Sequence, residues 1–169
     1  MSGSSVLFMA FPAHDAPGLV AWTRFRELIS RGLSASDPTL DARLAAGGGS
    51  PVGIWRMLAS NNREVARSAT AYPSFESARA AVLALQESDE QFQIVTFHGP
   101  SSGTHGWVAL AGGRAVLTCA RWYETSSISL EVSASAVAAF RSAHVSESPW
   151  QTAATARAAR EARLAVQAW

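Results

Sequence analysis

The sequence predicts an α+β fold in which two β-β-β-α units pair through antiparallel sheet as a pseudo-dimer, with an inserted helical hairpin and a C-terminal helix. Three observations predict it. The run GIWRMLASNNREVARSATAYPS at residues 53–74 has the outline of two strands around a tight turn, and GWVALAGGRAVLTCARWYET at residues 106–125 repeats that outline. Trp55 and Trp107, Leu58 and Leu110, and Ala59 and Ala111 correspond at one constant offset of 52. Beyond the turn the offset falls to 51 and again stays constant, matching Arg63 to Arg114, Val65 to Val116 and Tyr72 to Tyr123. The missing residue lies where Ser60-Asn61-Asn62 faces Gly112-Gly113. A two-residue hairpin loop needs positive φ at its centre, which glycine supplies and asparagine tolerates; a three-residue loop needs one such residue.

The elements follow in chain order. Val6–Phe11 is β-branched, aromatic and strand-length, and Pro12 stops it. Leu19, Trp22, Phe25, Ile29 and Leu33 form one apolar stripe of a helix, with Glu27 and Arg31 spaced as an i,i+4 pair and Gly32 near its stop as a C-terminal glycine. Asp37 as N-cap, Pro38 in the first turn, and Leu40 and Leu44 inside predict a second short helix. The Gly47-Gly48-Gly49-Ser50 run that follows is a linker, because a phosphate-binding loop needs Gly-Lys-Ser/Thr. After the first hairpin, Ser74 caps a helix through Ser88, with Ala78, Ala81, Val82 and Leu85 at helical spacing. Phe92–Phe97 is the counterpart of the first strand and ends near Pro100. SISLEVS at residues 127–133 alternates like an extended segment, so the second unit's helix is predicted from about Ser133 to Val145. The stretch beyond Pro149 has high helix propensity, with Arg157 and Glu161 spaced for pairing and Leu164 and Trp169 as its larger apolar members. The predicted organisation is a first unit at 1–88 carrying a helical insert at 13–50, a second unit at 89–148, and a helical tail at 149–169.

Composition restricts the chemistry. The chain has 169 residues, 48% of them hydrophobic, with six Trp and seven Phe, ample for a packed core. All 14 basic residues are arginine. Without lysine there is no Schiff-base chemistry and no pyridoxal-phosphate anchor. Cys119 is the single cysteine, so no internal disulfide forms, and the expected compartment is the cytoplasm. No apolar run approaches the roughly 20 residues that span a bilayer. A net charge of +1 makes no case for a strongly electrostatic partner.

Trp55-Arg56, Leu58-Ala59, Asn61, Val65-Ala66, Ser68, Tyr72 and Ser74, followed by the Ala78–Leu85 helix, resemble the YegP-like family of small repeats. The second unit keeps Trp107, Leu110-Ala111, Val116-Leu117 and Tyr123, with Cys119 where Ser68 sits. The resemblance covers about half the chain and implies two packed β-β-β-α units. It implies no activity and no catalytic set.

Candidate chemistry is sparse. His98 and His105 bracket the loop HGPSSGTH, without a carboxylate nearby in sequence, and are read as solvated strand-end histidines. Ser101 and Ser102 beside them lack a Gly-x-Ser-x-Gly elbow and read as turn material. No catalytic residue, metal or cofactor is expected. Trp22, Phe25, Trp55, Arg56, Arg67 and Tyr72 are the candidate binding group, an aromatic–arginine surface able in principle to stack bases or hold an anion. Arg157 and Trp169 of the tail are added as partner-facing residues. The expected function is a non-catalytic binding or assembly module that engages a protein partner, or itself, through the inserted and C-terminal helices. Nucleic-acid or anionic-ligand binding on the arginine–aromatic face is the second reading, and a small enzyme centred on His98 and His105 the third.

Overall fold

A computed structural model describes residues 3–11, 16–36, 53–148 and 151–152. Its elements in chain order are β1 (Ser5–Ala10), α1 (Pro17–Ser36), β2 (Gly53–Leu58), β3 (Glu64–Ser68), α2 (Phe75–Glu87), β4 (Gln93–His98), β5 (His105–Ala111), β6 (Arg114–Cys119), α3 (Ser126–Ser142), β7 (His144–Val145) and β8 (Gln151–Thr152). The fold is α+β. One mostly antiparallel sheet runs in the order β4-β5-β6-β3-β2-β1-β7, and β8 lies beside β1.

Each unit is a three-stranded meander followed by a helix, and the two meet where β3 pairs antiparallel with β6. The register there respects the sequence correspondence. Arg67 pairs with Thr118, its own counterpart, while Ala66 pairs with Cys119 and Ser68 with Leu117. A local twofold axis therefore passes between Arg67 and Thr118. The same correspondence relates the bridge Gly53–Tyr72 to His105–Tyr123. It also relates the register shift after Met57 to that after Ala109, and the helix caps Ser74 and Thr125.

The turns behave as their residues require. Gly112 and Gly113 both have positive φ, 54° and 74°, as a two-residue hairpin loop demands. In the longer first turn only Asn62 does, at 62°, and the loop is closed by Ala59 N–H donating to the Arg63 carbonyl at 2.8 Å.

The sheet is covered on both faces. Residues paired across strands share a face, so Phe8, Trp55 and Ser68 point one way and Leu7, Arg56, Arg67, Thr118, Val108 and Val95 the other. α2 and α3 cover the first face: Phe8 meets Phe75 edge-on at 5.1 Å and Trp55 stacks on Phe140 at 5.5 Å. α1 lies across the second. Its Leu19 and Trp22 pack with Ile54 and Phe11 near β2, and farther along its course Gly32 abuts Phe97 of β4.

Three sequence expectations are corrected. Gly32 does not stop α1, which continues to Ser36. A Cβ there would lie 2.5 Å from the Phe97 ring and 2.7 Å from the His98 carbonyl oxygen, so glycine is what lets the helix approach β4. Gly32→Ala is therefore expected to cost about 1–3 kcal/mol by overpacking, where an exposed helical site would gain about 1 kcal/mol; urea unfolding of the variant reads the sign. Second, α3 begins at Ser126, not Ser133. Its buried face is Ser129, Ser133, Ala136 and Phe140, while Ile128 and Leu130 are exposed, so the apolar alternation marked the solvent side. Third, Gln151–Thr152 pair in parallel with Met9–Ala10 as a short strand, where a helix after Pro149 was expected. The helix expected around Leu40 and Leu44, the glycine linker, and Arg157 and Trp169 lie outside the described residues. Among the described residues no helix is long and apolar enough to cross a membrane.

Candidate functional site

The predicted arginine–aromatic group is divided between the two faces. Trp55 is fully buried under α3, and the backbone N–H of Trp55 donates to Ser68 Oγ at 3.3 Å. Tyr72 belongs to the same side: burial raises its phenol above the ordinary value, against the pull of the Trp55 indole and the Arg114 charge. Trp22, Phe25, Arg56 and Arg67 belong to the α1 side. Trp22 is buried against Leu19 and Ile54, with the Arg26 guanidinium 5.6 Å from its ring centre. Arg26 Nε donates to the Ala69 carbonyl at 3.1 Å, and burial lowers that guanidinium from its usual value. Arg67 lies 5.4 Å from the Phe25 ring and pairs with Glu64, which also lies 3.9 Å from Arg56. Phe25 in turn packs on Trp122 at 4.9 Å, and Trp122 on Phe97 at 6.1 Å. These side chains cement α1 to the sheet, with the Arg56 and Arg67 heads sharing the Glu64 carboxylate at the rim.

A cleft of about 410 Å³ opens beside Tyr72, between α2 and the start of β6, and is lined by Thr70, Tyr72, Leu85, Glu90, Arg114 and Val116. Its origin is visible in the correspondence between the units. Thr70 matches Arg121, and the Arg121 guanidinium covers the Tyr123 ring at 5.2 Å. Threonine has no side chain long enough to do the same over Tyr72. The offset carried this signal in the sequence, but only the fold turned it into space.

His98 and His105 are brought together. They are direct partners across β4 and β5, with ring centres 5.0 Å apart and ring planes 46° apart. The His105 N–H and C=O both bond to Tyr123, on the other side of the strand, at 2.8 and 2.9 Å. The pair is thus a non-hydrogen-bonded one, in which facing side chains stand closest. The intervening loop is tied down by Gly99 N–H donating to the Thr104 carbonyl at 2.7 Å and Thr104 Oγ1 donating to the Ser101 carbonyl at 2.6 Å. Ser101 and Ser102 are exposed turn residues. Among the described residues no group of three or more His, Cys, Asp or Glu is placed to hold a metal ion.

Cys119 is fully buried opposite Trp107, and burial pushes its thiol up to about 11. The backbone of Trp107 faces that thiol just as the Trp55 backbone faces Ser68. A protonated, enclosed thiol is no nucleophile at neutral pH. Its role is to fill the place that Ser68 fills in the first unit.

No family model, no curated protein and no solved structure matches this chain.

Proposed function

We propose that this chain is a non-catalytic assembly module whose partner is a second copy of itself, paired through the outer edge of β4. The observation that carries the reading is an asymmetry between two equivalent edges. β1 and β4 are the outer strands of the two units, and the β1 edge is covered by β7 and β8. Among the described residues no strand covers the outer edge of β4, whose inner edge pairs with β5. An uncovered strand edge is a template for pairing that proteins otherwise blunt with charge, proline or a covering segment.

The pairing can be specified by residue. Gly99 N–H bonds inward to Thr104, and alternation along the strand sends the amides of Ile94, Thr96 and His98 outward. Gly32 of α1 abuts the His98 carbonyl, leaving Ile94 and Thr96 as the available pairing groups. In a twofold dimer Ile94 would meet Thr96 of the second copy, with Val95 on the axis. β4 carries no charged residue, so self-pairing sets no like charges together. The β3–β6 junction already joins the two units in this antiparallel manner about a local twofold. Twofold pairing is also the commonest oligomeric arrangement.

This reading moves the partner surface away from the inserted helix, whose Leu19, Trp22, Ile29 and Leu33 are buried against its own sheet. Kinship with YegP-like modules is part of the same proposal, supported by the matched tryptophans Trp55 and Trp107, both fully buried.

Sedimentation velocity on the full chain is expected to show a dimer that Thr96→Pro converts to monomer. Proline removes an outward donor while leaving the β5 ladder intact. The amides of Ile94 and Thr96 are expected to exchange slowly with solvent in the dimer. A chain that is monomeric at every concentration, or a dimer untouched by Thr96→Pro, would overturn the reading.

A further inference from the structure

We propose that His98 and His105 form a binding site for one divalent transition-metal ion of the copper, nickel and zinc group, with water completing its coordination. The site is independent of the assembly reading.

The argument is geometric. Imidazole nitrogens bind such ions at about 2.0–2.1 Å, so two rings on one ion have centres about 4.5 Å apart at a right angle and about 5.2 Å apart at the tetrahedral angle. The His98 and His105 ring centres are 5.0 Å apart, inside that interval. Their planes are tilted by 46°, so the rings are not stacked face to face on each other. The backbone fixes where the two side chains start before any ion arrives. They occupy a non-hydrogen-bonded pair at the end of the β4–β5 ladder, closed by the pinned Gly99–Thr104 loop. The opposite face of the sheet is filled: a Cβ on Gly106 would meet Trp122 at 2.6 Å and Phe97 at 2.8 Å, and one on Gly99 would meet the Thr104 hydroxyl and, at 2.9 Å, Trp122. His98 itself is exposed, so an ion has a direct route from solvent. Two neutral imidazoles with open positions select the imidazole-seeking end of the divalent series, and copper(II) binds such a donor set most tightly.

Copper(II) chloride titrated into the full chain, followed by calorimetry and by electron paramagnetic resonance, tests this. One ion per chain with two imidazole nitrogens in its coordination sphere is expected. His98→Ala and His105→Asn should each weaken binding at least about tenfold, because loss of a direct ligand exceeds the effect of losing a supporting one. His144→Ala should leave it unchanged, and far-ultraviolet circular dichroism checks that the variants keep the fold. Wild-type affinity in either the His98 or the His105 variant, or coordination by a single imidazole, would overturn the proposal.

Discussion

Replacing Trp55 with alanine is expected to remove about 3–5 kcal/mol of stability, the range for emptying a large aromatic from a core. Trp55 has no solvent exposure, stacks on Phe140 at 5.5 Å, and Phe140 is itself fully buried and lies 6.0 Å from Phe92. The tryptophan belongs to the first unit, whereas Phe140 and Phe92 belong to the second. The cavity would therefore open across the junction of the two units, where neither can relax without the other. Against a total of about 5–15 kcal/mol for a chain of this kind, the loss leaves a marginal fold. Trp55→Phe retains a ring to stack on Phe140 and should cost clearly less. Guanidinium unfolding read by circular dichroism checks both; an alanine variant within about 1 kcal/mol of wild type would show that the two units do not share this core.

Arg141→Met is expected to cost about 1.5–3 kcal/mol, the range for hydrogen bonds from a charged donor. Arg141 sits in the last turn of α3, where a cation also suits the helix dipole. Its guanidinium donates to the carbonyls of Leu85, Ser88 and Glu90 at the end of α2, and lies 4.3 Å from the Phe92 ring. The contact is reciprocal: Gln86 Nε2 of α2 donates to the Phe140 and Ala143 carbonyls of α3 at 2.7 and 2.9 Å. Each helix thus supplies side-chain donors to backbone carbonyls at the C-terminal end of the other. Methionine keeps the apolar stem and removes every donor. Arg141→Lys should recover only part of the loss, since an ammonium lacks the planar fork that reaches several carbonyls at once. Urea midpoints of the three proteins test this ordering, and a methionine variant matching wild type would remove Arg141 from the clamp.

How much of this was legible in the chain depended on how far each signal reaches. The Ser74 cap, the α2 boundaries and the two turn types are local: a serine hydroxyl, a helical spacing and a positive φ act within a few residues. The α3 start was misread because its core side is Ser129, Ser133 and Ala136. Small residues let a helix lie close on a sheet, but in sequence they look polar or neutral. The role of Gly32 was misread for a related reason, since only the nearness of Phe97 and His98 tells a packing glycine from a terminating one. The candidate binding group was divided because strand alternation separates Trp55 from Arg56, yet the covering helix on each side is fixed by tertiary packing.

The sequence by itself determined the two β-β-β-α units and their correspondence, because a constant offset and a turn-tip deletion are properties of the string of residues. Tertiary structure alone decided that β3 and β6 join the units, that the tail strand covers the outer edge of β1 while no described strand covers that of β4, and that His98 faces His105. Those outcomes depend on register and edge pairing between distant segments, and backbone hydrogen bonds carry no residue label by which a sequence could announce them.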